Sequence, residues 1–168
     1  MLTLPATPIE LLGQVIEPTL QMLPVRFDMP DDRLSIRAQL IAESLQETSL
    51  TTRQQIGGPA HGLWQFEDGD ESAIALVLRH PLVGSIAQAF CQKRGVSPTH
   101  DAVYEAVLAD DILACGFARL DLYCDPHPLP ALGDAQSAWN VYMRVERPGG
   151  PRPAAWQGNY AEAWQAVK

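Results

Sequence analysis

The chain has 168 residues, 46% of them hydrophobic and 19% charged, which is the composition of one globular domain and leaves no large part for disorder. A chain of this length buries roughly 70% of the surface its unfolded form exposes, so it needs no disulfide or metal to hold a core. Net charge is −8, and the twelve Lys and Arg residues are scattered apart from Arg144, Arg147 and Arg152. That pattern argues against a nucleic-acid binder, which shows a basic patch, and against a polybasic membrane-surface segment.

The three cysteines, Cys91, Cys115 and Cys124, include no CxxC pair and read as small hydrophobes in a reducing compartment. His61, His80, His100 and His127 never recur at helical spacing, so neither metal nor other cofactor is expected. The N-terminus has no basic region before its apolar residues and so is not read as a signal peptide. The longest apolar run, Ala73 to Leu78, is too short to span a bilayer. A protein made in the cytoplasm, without membrane insertion, is expected.

Strand signals are almost absent and helical punctuation is abundant. Thr7-Pro8 reads as an N-cap with Pro at the first helical position, opening an amphipathic helix to about Met22 that Pro24 to Pro30 breaks. A second helix starts near Asp31 or Asp32 and runs to Glu47, with Leu34, Leu40, Ile41 and Leu45 as its core stripe. The next stretch, TSLTTRQQIGGPAHG, is loop. Helices resume over 71–79 and 82–94, with Gly95 as a C′ residue. One long helix or two cover 98–124, and further helices cover 134–145 and 154–167. The expected class is all-α, about seven or eight helices. The expected organisation is an N-terminal helix and linker over 1–30, followed by a domain over 31–168.

The chemistry concentrates in ETSLTTRQQIGGPAHGLWQFE, Glu47 to Glu67. Glu47 closes a helix, where the negative end of the macrodipole disfavours a carboxylate. Trp64 and Phe66 packed over it would raise its pKa further by desolvation. Such a carboxyl stays protonated near neutral pH and can give its proton to a leaving oxygen, as glycoside hydrolysis requires. Gly57, Gly58 and Gly62 allow sharp bends and close ligand approach, Gln65 offers an amide to sugar groups, and Trp64 a face to a sugar ring. Each residue alone has a plainer reading: a helix-end Glu is usually solvated, and a Trp is usually core. Their joint spacing is what raises the catalytic one.

That spacing resembles the lytic transglycosylases and goose-type lysozymes. Glu47-Thr48 stands for the family's Glu-Ser pair, and Pro59-Ala60-His61-Gly62-Leu63-Trp64-Gln65 for its Gly-Ala-x-Gly-Leu-Met-Gln segment. The run GPAHGLWQFE, with Tyr142, Arg144, Arg147-Pro148-Gly149, Pro151, Pro153 and Trp156 later, also looks like small lysozyme-like proteins of tailed phages. The resemblance covers about positions 33 to 165 and is specific only over 47–67. Thr48, Pro59 and Trp64 depart from the motif. The family's Ala-Tyr-Asn-Ala-Gly is reduced to Ser137-Ala138-Trp139-Asn140, which leaves Tyr142 and Tyr104 as candidate sugar-site aromatics.

The resemblance implies a lysozyme-like fold that cleaves peptidoglycan between N-acetylmuramic acid and N-acetylglucosamine. Glu47 is the implied acid, and Thr48, Gln65, Trp64, His61, Tyr142 and Tyr104 are the implied substrate-binding residues. Glu67 is a candidate second carboxylate, the alternative being a cap or an ion pair with Arg53. The partners implied are wall glycan strands, and other virion or tail proteins if the chain is carried in a phage particle. An endolysin and a virion component both fit, each acting at the bacterial wall, with a monomer in solution as the default. The competing reading is a structural or adaptor virion protein that keeps the fold with little or no activity.

Overall fold

The computed structural model describes residues 3–168, and its regular elements among those residues are all helical. Thr7 caps the first helix through its hydroxyl, which accepts from the Glu10 N–H, and Pro8 follows at the first helical position. Three stretches then run on without a break: α1 (Pro8–Leu11), a π turn (Leu12–Ile16) and α2 (Glu17–Met22). The π turn has a local cause. Pro18 has no N–H to give Gln14, and its ring crowds that carbonyl. The chain widens just before it, and the Glu17 N–H donates to the Leu12 carbonyl, one residue beyond α spacing. Counted as one bent rod, these stretches bring the total among the described residues to eight helices.

A single 3-10 turn, Val25–Phe27, leads to α3 (Arg33–Thr48). This helix is buried on nearly every face, polar residues included: Arg37, Gln39, Glu43, Ser44 and Gln46 are all buried beside Leu40, Ile41 and Leu45. Leu34, expected in the core stripe, is 45% exposed. It lies in the first turn of α3, ahead of the buried run that begins at Ile36. An irregular segment, 49–72, follows and carries two isolated antiparallel bridges around His61.

The remaining helices are α4 (Ala73–Arg79), α5 (Gly84–Lys93), α6 (His100–Ala106), α7 (Asp111–Cys124), α8 (Ala135–Val145) and α9 (Pro153–Val167). Ser72, Thr99, Asp110 and Asp134 cap four of them with side-chain oxygens on backbone N–H groups. Gly95 follows α5 at φ +71°, the left-handed conformation a helix terminator needs. The 98–124 stretch is two helices, α6 and α7, separated at 107–110.

One core runs through the molecule. Leu11, Val15, Ile16, Leu20 and Phe27 belong to it together with Leu40, Phe117 and Leu120. The boundary drawn at residue 30 therefore divides no core, because the N-terminal rod packs on α7, α3 and α9. The three cysteines are free, and burial pushes the Cys91 and Cys115 thiols up to about 11 and about 12. No single helix among the described residues is long and apolar enough to cross a membrane.

Candidate active site

The site starts from the close of α3. Helix α9 packs along α3 and clamps its last turn: Asn159 donates to the Gln46 side-chain oxygen at 2.8 Å, and Gln46 donates to the Arg152 carbonyl at 2.9 Å. Arg152 in turn donates to the Gln46 carbonyl. Glu47 is thereby fixed on the wall of a cleft of about 750 Å³, lined also by Gln65, Phe66, Glu67, Tyr142, Glu146 and the segment from Arg147 to Arg152.

The Glu47 carboxylate has one defined partner. The Tyr142 hydroxyl donates to Oε1 at 2.6 Å. Tyr142 is itself held in an aromatic cluster, stacked on Trp156 with centroids 5.1 Å apart and tilted against Trp139 at 5.2 Å. Burial raises the Glu47 pKa; the Tyr142 hydrogen bond and the charge of Arg152 pull it back, and Glu67 pushes it up again. Burial and the Glu47 carboxylate both push the Tyr142 phenol far up, so it remains a donor. The expected desolvation of Glu47 is present, although Trp64 is not one of the residues lining its cleft.

The irregular segment forms the opposite wall. Gly62 sits at φ +80°, and a Cβ there would stand 2.9 Å from the Val107 carbonyl oxygen, so this close approach admits only glycine. Gln65 also has positive φ, and its amide nitrogen donates to the Gly62 carbonyl at 2.8 Å, which leaves the amide oxygen to accept from a ligand. Arg53 anchors the segment to the start of α7 by a bidentate pair with Asp111, both bonds 2.7 Å and both residues buried. Arg53 thus does not pair with Glu67, which is exposed and makes no hydrogen bond or ion pair among the described residues.

Of the eight residues singled out from the sequence, Glu47, Glu67, Gln65 and Tyr142 line the cleft. The other four stand outside its lining, and each has a structural task. Trp64 is fully buried and donates its indole N–H to the Leu40 carbonyl at 3.1 Å, so it pins the segment onto α3 rather than offering a face to a sugar. The Thr48 hydroxyl donates to the Ser44 carbonyl and accepts from the Leu50 N–H, closing the end of α3. His61 stacks on Tyr104 at 4.1 Å, with Nδ1 3.0 Å from the Tyr104 carbonyl oxygen, and the Tyr104 hydroxyl donates to the Pro59 carbonyl. That stack supports the segment from behind.

Sequence reasoning missed the polar groups that α8 and its following turn bring in. Glu146, Arg147 and Arg152 line the cleft, as does Gln46. Tyr142 and Glu146 are one helical turn apart at the end of α8, as are Glu43 and Glu47 on α3, and that spacing was the available signal. Glu146, which follows α8 directly, shares a buried acid cluster with Glu43 on α3 and Asp121 on α7. Each has one buried carboxyl oxygen with no hydrogen-bond partner among the described residues. Burial raises all three, Glu43 to about 8 and Asp121 to about 7, and the Glu43 and Glu146 carboxyls feel one another's neighbours Asp121 and Glu47 as like charges. Among the described residues no three His, Cys, Asp or Glu side chains are arranged to hold a metal ion.

No protein-family model, curated protein or solved structure matches the chain.

Proposed function

We propose that this chain is a lysozyme-like enzyme of phage origin that cleaves the glycan strands of peptidoglycan between N-acetylmuramic acid and N-acetylglucosamine. The observation that carries the reading is Glu47: a half-buried carboxyl on a cleft wall, raised by desolvation, with a phenol donor on one oxygen. In the acid form it gives its proton to the glycosidic oxygen, and the C–O bond breaks toward the departing N-acetylglucosamine. Tyr142 then stabilises the carboxylate left behind.

That carboxylate takes a proton from the muramic 6-hydroxyl, whose oxygen closes on the anomeric carbon and leaves a 1,6-anhydro end. In the hydrolytic course, Glu67 takes a proton from water, whose oxygen attacks the same carbon. That both carboxylates line one cleft supports either course. The amides of Gln46 and Gln65 suit the hydroxyl and acetamido groups of the sugars. Action at the bacterial wall, as an endolysin or as a virion component, follows from the same reading.

Digestion of purified peptidoglycan by wild type and Glu47→Gln tests it. The substitution keeps the shape and removes the transferable proton, so turnover is expected to fall by about 10²–10⁴-fold with the melting temperature preserved. Products lighter by one water than the hydrolysed muropeptides identify the anhydro course. Folded wild type that yields no products on several wall types would sink the proposal.

A further inference from the structure

We infer that Arg147 and Arg152 form a carboxylate-binding subsite that reads the free carboxylates of the stem peptides on the glycan, so the cleft distinguishes acidic stems from amidated ones. This rests on the cleavage proposal for its ligand, and on an independent anomaly of charge. Arg33, Arg37, Arg53, Arg79, Arg94 and Arg144 each pair with an acid within 4.0 Å. Among the described residues Arg147 and Arg152 do not, and neither do Arg26 and Arg119, which lie against the Phe27 ring. Arg147 and Arg152 differ in lining the cleft, where their charges act on Glu47, Asp121 and Glu146 without an ion pair.

Both guanidinium groups are held by backbone carbonyls instead. Arg152 donates to Gln46, and Arg147 reaches Glu71 at 3.4 Å across the cleft from its own turn. A carbonyl fixes the direction of a guanidinium without neutralising it, and each fork keeps further N–H donors for a planar anion. The backbone adds to the case. Arg147 has φ +48°, a left-handed conformation that costs energy for a side chain of this size. The turn that follows, Pro148-Gly149-Gly150-Pro151, carries the two arginines at its ends, with Pro148, Gly149 and Gly150 also lining the cleft.

A neutral glycan offers such a pair hydroxyl and acetamido acceptors but no charge to match. The stem peptide hangs from the lactyl group of the muramic residue, next to the bond that Glu47 would break, and it brings α-carboxylates within the same ligand. A bidentate guanidinium–carboxylate contact supplies both attraction and geometry.

The test is calorimetric binding to Glu47→Gln, which blocks turnover. The two probes are a tetrasaccharide carrying its stem peptides and the same compound with the peptide carboxylates converted to amides. The carboxylate form is expected to bind at least about tenfold tighter, with the difference shrinking as salt is raised. Adding Arg147→Gln is expected to abolish most of that difference while leaving affinity for the amidated form unchanged. Arg152→Lys keeps the charge and loses the fork, and is expected to reduce the preference in part; its melting temperature shows that the Gln46 clamp survives.

Equal binding of the two forms, or an equal loss on both from Arg147→Gln, would overturn the subsite and leave the cleavage proposal standing. In the enzyme that retains Glu47, an effect of the arginine variants seen only as an equally displaced pH–rate profile on both substrates would also overturn it, assigning the arginines to Glu47. Binding of neither form, together with no products from the wall, would overturn the cleavage proposal and this subsite with it.

Discussion

Two groups of buried charge stand fewer than two turns apart on α3, and they are built in opposite ways. Arg37 is 7% exposed at its side chain and is bracketed by two carboxylates, Glu17 at 2.6 Å and Asp28 at 2.6 Å. Further along, Glu43, Asp121 and Glu146 feel one another's charge, make no ion pair among the described residues, and each keep one carboxyl oxygen unpartnered there. The first group neutralises its charges with each other. In the second, burial favours the protonated, neutral form of each acid. A paired cluster loses most when one member is removed, whereas an unpaired cluster of like groups gains when one is neutralised.

The largest expected effect tests the paired side. Arg37→Met leaves Glu17 without its cation and Asp28 with only the more exposed Arg33 at 3.5 Å, and it should cost about 2–3 kcal/mol in denaturant unfolding, reduced because both acids are partly solvated. A loss within experimental error would mean that the hub is ornamental.

Next comes the unpaired side, where the sign reverses. Burial lifts Asp121 from its ordinary value of 3.8 to about 7. The folded state therefore holds that proton more tightly than the unfolded chain, and stability falls as pH rises between these two values. Asp121→Asn removes that loss. The variant should match wild type near pH 4 and exceed it by about 1–2 kcal/mol above pH 7, read from urea melts across pH. A destabilised variant at high pH would show the carboxylate to be charged and satisfied.

The smallest expected effect joins the acid cluster to the chemistry. Tyr142→Phe removes the donor that opposes desolvation at Glu47, so the alkaline limb of the pH–rate profile should move to higher pH. The maximal rate should fall by about tenfold, because the carboxylate formed on proton transfer loses its hydrogen bond. An alkaline limb that moves the other way would mean that the phenol favours the acid form.

Much of the fold was legible because helices announce their ends in local chemistry. Thr7, Ser72, Thr99, Asp110 and Asp134 all cap through their own side chains, and Gly95 takes the left-handed turn. The central helix was legible only as a helix. A stripe of apolar residues locates the core when one face meets water, and α3 has almost no such face, which is why Leu34 was misplaced and Arg37 and Glu43 escaped notice. In the candidate site, Glu47, Glu67, Gln65 and Tyr142 were singled out through the family resemblance, and all four line the cleft. The place of Trp64 was not legible, because the left-handed backbone at Gln65 and the bend at Gly62 decide where neighbouring side chains point. No periodicity reports such angles. Arg147 and Arg152 stood in the sequence as two of a loose group of arginines without a task, since their use depends on α9 returning to the end of α3.

The bond between Tyr142 and Glu47 joins residues 95 positions apart. A nascent chain that has emerged only through α7 already holds Glu47 at the close of its helix, but neither the phenol on α8 nor the α9 clamp on Gln46. Closing so long a loop is paid in chain entropy before its contacts return anything. A chain that ends short of α8 therefore carries the carboxyl without its donor.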